Sequence, residues 1–300
     1  MTFPFLSSRL IVSLQRNKII ISMKPYLFLT LLGASLLLLS CAENTEKSAQ
    51  RYLQAAQTCY DEGNFSEAKK QIDSIRILYP KAFEARKKGI ALMQQVELSE
   101  AQQTLEYADS LATLNNARLE ELLPKFIYEK DARYQEIGIY FAPSQKIQDN
   151  LGRNYLRATV DEKGHMRLTS LYRGPSYIHH RSIRVSAGGT FAQTPQSGNL
   201  YESSDIMGKT ERNDFSLGAD SGVVAYIAQH AGEPLKVEYL GDKNYATTLL
   251  KTDTRAIADV YELALALQAA ANINEMQDEA ERKIAFIQSR QKPSEEDAGE

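Results

Sequence analysis

Apolar residues along this chain change their spacing several times, and each change marks an expected boundary. Pro25 to Leu39 (PYLFLTLLGASLLLL) is an apolar run with no charge and only one threonine and one serine. From about Arg51 to Arg133 apolar residues return at three- and four-residue steps, which is the period of one helix face. Between Tyr134 and Thr252 lie most of the glycines and several alternating segments, the period of half-buried strands. The helical step resumes at Thr254 and runs to Arg290, before an acidic end, KPSEEDAGE.

The first helical region divides further. A helix is expected over Ala82 to Gln95, and another begins in ELSEAQQTLEYADSLATL, where Ala101, Leu105, Ala108, Leu111 and Leu114 recur. That line runs on through Leu119, Leu122 and Phe126 towards Arg133. Pro124, which lacks a backbone N–H, should kink or split it. In the alternating region, Tyr155–Val160 and Met166–Tyr172 flank Asp161-Glu162-Lys163-Gly164 and predict a hairpin. Ser182 to Val185 reads as a strand ended by Gly188-Gly189, and Pro195 to Gly208 reads as loop. Asp220 or Ser221 is placed to cap a short helix through Gln229. Lys236–Leu240 and Tyr245–Leu250 predict a second hairpin.

Each long helix carries a narrow apolar stripe that water disfavours, and the two match roughly in length. Pairing them antiparallel buries both stripes and closes the ends of the β module inserted between them. The expected fold class is therefore α+β: helical hairpins, a long two-helix antiparallel arm, and an inserted, small, mixed β-rich module. The boundaries expected are 1–40 for an exported leader, 41–50 for a tether, 51–133 for the helical repeat region and first long helix, 134–253 for the β-rich module, 254–290 for the last long helix, and 291–300 for a disordered acidic tail.

The apolar run of about fifteen residues is short for a bilayer span, which needs roughly 20, and suits the core of a signal peptide. Lys24 supplies the charge in front of it, and Met23 offers a start that leaves a signal of ordinary proportions. The run ends in Leu38-Leu39-Ser40-Cys41, which resembles the lipobox of bacterial lipoproteins. That resemblance implies cleavage before Cys41, a diacylglycerol on its thiol, and a membrane anchor. Glu43 and Glu46 resemble an acidic surface-export tag, but Lys47 breaks the run. The periplasmic side of an outer membrane is therefore expected.

A second resemblance lies in CYDEGNFSEAKKQIDSIRILYP, which is similar to a tetratricopeptide repeat. Gly63 takes the tight turn, Phe65 and Ala68 open the second helix, Ile75 continues its inner face, and Pro80 closes the unit. Ala56 supplies the small residue of the first helix, and Tyr52 stands near the family's early aromatic.

Charge narrows the partners. Removing residues 1–40 subtracts Arg9, Arg16, Lys18 and Lys24 and no acidic residue. The 35 basic and 38 acidic residues become 31 and 38, a net charge near −7. A mildly acidic chain disfavours nucleic acid and anionic lipid as main partners. With Cys41 acylated, Cys59 has no internal disulfide partner.

Candidate chemistry is sparse. His179-His180 is the one histidine pair, and neighbours on a strand point to opposite faces, so no shared metal is expected. Ser221 in GADSG resembles the serine turn of trypsin-like proteases over five residues, but no histidine and aspartate accompany it. No catalytic residue, cofactor or metal is expected. The head is rich in tyrosine (Tyr134, Tyr140, Tyr155, Tyr172, Tyr177, Tyr201, Tyr226), which suits recognition of peptide or glycan. The leading expectation is a non-enzymatic adaptor for envelope proteins. The alternatives are a glycan- or peptide-binding module built on the β head, and an envelope hydrolase with an unrecognised site. Cys41→Ala should abolish lipidation and leave either an uncut precursor or a protein released from membranes. Retention through a high-salt wash, with a mature N-terminus other than residue 41, would contradict this.

Overall fold

The computed structural model describes residues 45–206 and 208–291. The expected leader, Cys41 and the acidic tail beyond residue 291 lie outside the described residues. Among those described, five helices and two antiparallel sheets give an α+β architecture, in line with the expected class. The chain falls into two units that divide between Glu97 and Leu98.

In the first unit, α1 is described over 45–61, and α2 spans Phe65–Leu78. The N-terminal part of α3, Phe83–Leu122, completes it. Small residues let these helices approach. Ala49, Leu53 and Ala56 of α1 are buried with Ala68, Ile72 and Ile75 of α2 and with Ala85, Leu92 and Val96 of α3. Gly63 takes φ +75° in the turn between α1 and α2, and its N–H donates to the Tyr60 carbonyl over 2.9 Å. Asn64 then caps α2, its Oδ1 accepting the Glu67 N–H. The Glu46 carboxylate of α1 accepts the Ala85 N–H at 2.6 Å, satisfying an orphan donor at the start of α3. Pro80 lies between α2 and α3.

The second unit contains the sheets. The six-stranded sheet runs β1-β2-β3-β4-β8-β7, and the four-stranded sheet runs β10-β9-β5-β6. In the first, β1 is Ile127–Glu129, β2 Ile139–Phe141, β3 Tyr155–Asp161 and β4 Met166–Gly174. Its other two strands are β7, Tyr201–Asp205, and β8, Gly208–Ser216. In the second, β5 is Ser182–Ala187, β6 Thr190–Gln193, β9 Lys236–Leu240 and β10 Tyr245–Thr248. Leu156, Ala158, Leu168 and Phe215 from the first sheet meet Ile183, Val185, Val237 and Tyr239 from the second. The short helix α4 (Val223–Gln229) adds Val223, Val224 and Ile227 to this core, and α5 (Lys251–Gln291) adds Ile257, Val260 and Leu263. By length and hydropathy α5 alone among the described helices could cross a membrane; Ala256, Ile257, Val260, Leu263, Ala264 and Ala266 are nevertheless buried in this core.

Three contacts set the position of the β3–β4 hairpin and α5. Arg153 forms a two-toothed ion pair with Asp253 at the start of α5, at 2.6 and 2.9 Å, and Asp253 is almost fully buried. Gly164, at φ +83°, closes the hairpin so tightly against α5 that a Cβ there would lie 2.7 Å from Gln268. Gln268 Nε2 also donates to the Gly164 carbonyl. Further along, Asn115 of α3 donates to the Ala266 carbonyl, and Arg118 pairs with Glu262. Gln277 donates to Asp109, and Lys283 faces Glu100 at 3.5 Å.

The β3–β4 hairpin, the strand at Ser182, α4, β9 and β10 lie close to where the sequence patterns place them. Three expectations are corrected. The helices read as separate around residues 82–95 and 97–114 are one, because neither glycine nor proline stands at the junction from Gln95 to Ser99. The helix expected to reach Arg133 stops at Leu122, since Pro124 sits in a 3₁₀ turn and Ile127–Glu129 is already strand. The segment 195–208, read as loop, contains the edge strand β7.

Gly63→Val should lower the melting temperature of the first unit. No atom crowds the position, so the cost is the strained positive φ alone, about 1–3 kcal/mol. An unchanged melt would show that this turn relaxes freely.

Candidate functional site

The pleat sends alternate side chains of β3, β4 and β8 to opposite faces of the six-stranded sheet. Inward go Leu156, Ala158 and Val160, then Leu168, Ser170 and Tyr172, then Glu211, Asn213 and Phe215. Outward, the same strands line an open hollow of about 660 Å³. Register defines its rows. Tyr155, Leu171, Arg212 and Tyr201 lie side by side across four strands. The next row is Arg157, Thr169 and Asp214, and the next Thr159, Arg167 and Ser216.

One wall of the hollow depends on Gln145. Past Phe141, β2 no longer pairs with β3, and the Gln145 side chain takes over the vacated edge. Its Nε2 donates to the Leu156 carbonyl and its Oε1 accepts the Ala158 N–H, at 2.9 and 2.8 Å. Gln145 is fully buried, so both bonds are made without competition from water. Its backbone carbonyl accepts from Arg157 Nε at 3.3 Å, and the Arg157 guanidinium lies over the Phe141 ring. Burial pushes the Arg157 guanidinium below its ordinary value, but it remains a cation at neutral pH. Across the floor, Thr169 Oγ1 donates to Asp214 at 2.6 Å, and Asp214 lies 3.9 Å from Arg212.

The inward face holds a different polar group. Ser170, His180 and Glu211 form a chain: Ser170 Oγ stands 2.8 Å from His180 Nε2, and His180 Nδ1 stands 2.6 Å from Glu211. Glu211 also accepts the backbone N–H groups of Ile178, His179 and His180. His179 adopts φ 51°, and that turn lets three successive N–H groups converge on one carboxylate. Burial pushes Glu211 up, but the His180 ring and the three N–H groups outweigh it and hold the carboxyl below its ordinary range. Burial also pushes His180 down, against the pull of Glu211. The pair is thus neutral imidazole and carboxylate. Nδ1 donates to Glu211 and Nε2 accepts the Ser170 hydroxyl.

The composition is that of a hydrolase triad, but Ser170, His180 and Glu211 are each fully buried between the sheets. The chain instead fastens β4 and β8 of one sheet to the segment entering β5 of the other.

Among the described residues, His179, Glu202 and Glu211 have ligand atoms within 4.8 Å of one another. His179 already pairs with Glu202 at 2.6 Å, and both Glu211 oxygens are occupied, so a cation would have to displace those bonds. The two histidines do diverge, but His180, expected on a surface strand or loop, is core.

The other candidates scatter. Gly63, Phe65, Ala68 and Pro80 belong to the first unit, with Phe65 against Tyr60 and Ala68 fully buried. Cys59 packs at the edge of that core. Ser221 is exposed at φ 54° and caps nothing. Asp220 accepts the Val224 N–H at 2.7 Å and anchors α4. Of the tyrosines, Tyr155 and Tyr172 are buried, and Tyr134 and Tyr201 are exposed. Sequence reasoning missed the arginines of the hollow, Gln145 and Glu211. The one available signal was alternation in β3 and β4, which places Arg157 and Arg167 on the face opposite Ala158 and Leu168.

No protein-family model, curated protein or solved structure matches this chain.

The buried pair predicts acid lability. In the unfolded chain His180 takes a proton near its ordinary value of 6.5, whereas in the folded chain it resists. The stabilisation is complete above that value and is lost as pH falls below it. A second loss begins below 4.5, where unfolded Glu211 protonates first. His180→Gln should be less stable at neutral pH by about 1–3 kcal/mol and show a flatter melting profile between about pH 7 and about pH 5. Parallel profiles for the two proteins would refute the assignment.

Proposed function

We propose that this chain is a lipid-anchored lipoprotein of the bacterial envelope that works by binding, with the outer face of the six-stranded sheet as its binding surface. The observation that carries this reading is the hollow itself: about 660 Å³, open, and lined by tyrosine, threonine and arginine together with apolar side chains such as Ile139, Ile147 and Leu171. Catalysis is not part of the proposal, because among the described residues the serine–histidine–carboxylate chain of Ser170, His180 and Glu211 is sealed in the interior. Cys41 carries the anchor, and the periplasmic side of an outer membrane is the location that the broken acidic run after it favours.

The helices serve this function as support. The hydrogen bonds that join Arg118, Asn115, Asp109 and Glu100 of α3 to Glu262, Ala266, Gln277 and Lys283 of α5, in that order, support an antiparallel two-helix arm, from which the β module projects as an insertion. The tight α1–α2 turn at Gly63 and the buried Ala56 and Ala68 support a tetratricopeptide-like hairpin in the first unit. There the adaptor reading has its own support. Phe83 and Ile90 lie two helical turns apart on α3 and are 71% and 60% exposed, an apolar surface suited to an envelope protein.

Leu171→Trp tests the binding face, because it fills the floor of the hollow between Tyr155 and Arg212. Wild type and variant are compared on a printed glycan array and against solubilised envelope extract. Ligands held by the sheet face should weaken by about tenfold or more in the variant, whose melting temperature should stay within a few degrees. If every captured ligand is insensitive to Leu171→Trp and is instead lost in Phe83→Ser/Ile90→Ser, the adaptor surface is the functional one.

A further inference from the structure

The strands under the hollow have little backbone left to offer. β4 and β8 are paired on both sides, and Gln145 completes the edge of β3 at Leu156 and Ala158. An extended peptide docks by pairing its backbone with a free edge, and β4 and β8 at the centre of this floor have none; the one bordering free edge, β7, contributes only Tyr201 to the hollow. Recognition here falls to side chains alone. Hydroxyls at Thr159, Thr169 and Ser216, set among planar guanidinium and phenol groups, suit the hydroxyl-rich rim and flat faces of a sugar.

Charge selects the sugar. The carboxylates facing the hollow are engaged: Asp161 accepts from Lys163 N–H, His165 N–H and the His165 ring, and Asp214 accepts from Thr169 beside Arg212. Arg157 and Arg167 have no carboxylate within ion-pair distance among the described residues. Arg157 is half-buried and lines the hollow, and its Nε is used by Gln145, which leaves its Nη nitrogens without a hydrogen-bond partner among the described residues. A partly desolvated cation with no carboxylate bonded to it, and only Glu129 acting from a distance, is costly, and a ligand that brings the anion into contact reduces that cost. Burial is the main cause that depresses Arg157; Tyr155 and the Glu129 carboxylate pull the other way, and Arg212 adds like charge to the same space.

We propose that the hollow binds an acidic glycan: a uronate-bearing saccharide whose carboxylate is held by the Nη edge of Arg157, flanked by Arg167 and Arg212. This rests on the outer face being the binding surface, and it adds the chemical class of the ligand. The planar fork of arginine matches a carboxylate with two parallel bonds, which a lysine could not reproduce.

The full chain is titrated with a short oligogalacturonate and with its carboxyl-reduced neutral counterpart, reading heats of binding and amide shifts. The acidic sugar should shift amides of β3, β4 and β8 and bind about tenfold or more tightly than the neutral one, with affinity falling as salt is raised. Arg157→Gln should weaken binding by roughly tenfold to a hundredfold. Arg157 also packs on Phe141, so a fold-neutral control is needed. Arg167→Gln alters an exposed side chain with no side-chain partner among the described residues and should weaken binding without moving the melting temperature. Equal affinity for both sugars, with shifts on these strands, overturns the charge assignment and leaves the binding face standing. No heat and no shifts with oligogalacturonate overturns the proposal outright. The Leu171→Trp comparison then decides whether the face binds anything else.

Discussion

A single buried carboxylate governs how the β module is put together. Glu211 would be costly to bury alone, since removing a charge from water without compensation costs many kcal/mol. It is compensated by four hydrogen bonds from one short stretch of chain, Ile178 to His180. Because that stretch leads directly into β5, satisfying Glu211 also sets where the second sheet begins relative to the first. His180 relays the arrangement to Ser170 on β4, and Asn213 Nδ2 adds a bond to the His180 carbonyl from two residues along β8. Apolar packing of two sheets tolerates sliding; a carboxylate with all its acceptors filled does not.

The binding face follows from that constraint. A strand has a period of two, so a slip of β8 by one residue would turn Glu211 outward and Arg212 inward. The interior polar chain therefore fixes which side chains reach the hollow, although none of its atoms lies there. Gln145 plays the corresponding part at the other side, ending the sheet edge with a side-chain amide and holding Arg157 by its backbone carbonyl. The hollow is built from residues whose inward neighbours are held rigidly, which is the condition for recognising a ligand with few contacts.

The helices answer a different physical demand. Asp253 at the start of α5 is neutralised by Arg153, just before β3, and Gly164 admits α5 against the hairpin that β3 opens. The apolar stripe of α5 is thus consumed by the core of the β module over its first turns, with α3 reached by polar contacts from Asn115 and Arg118.

What could be read from the sequence was whatever rests on local periodicity and local turn chemistry. The last long helix, the Asp161–Gly164 hairpin, the strands at Ser182 and Lys236, and the turn at Gly63 all announce themselves within a few residues, because helix and strand steps are short-range properties. Strand β8 was illegible for a definite reason. In GKTERNDFS only Phe215 is apolar, and the inward Glu211 and Asn213 look like surface residues until their partners are known. The edge strand β7 hid in serine-rich sequence, and Gln145 looked like one more loop residue. The site shares this origin. Arg157, Arg167 and Arg212 lie on three strands and become neighbours only through register, and register was decided by long-range satisfaction of a buried charge. Local pattern therefore determined the elements, while the tertiary structure alone decided which polar residues were interior, because only there does a buried donor meet its acceptor.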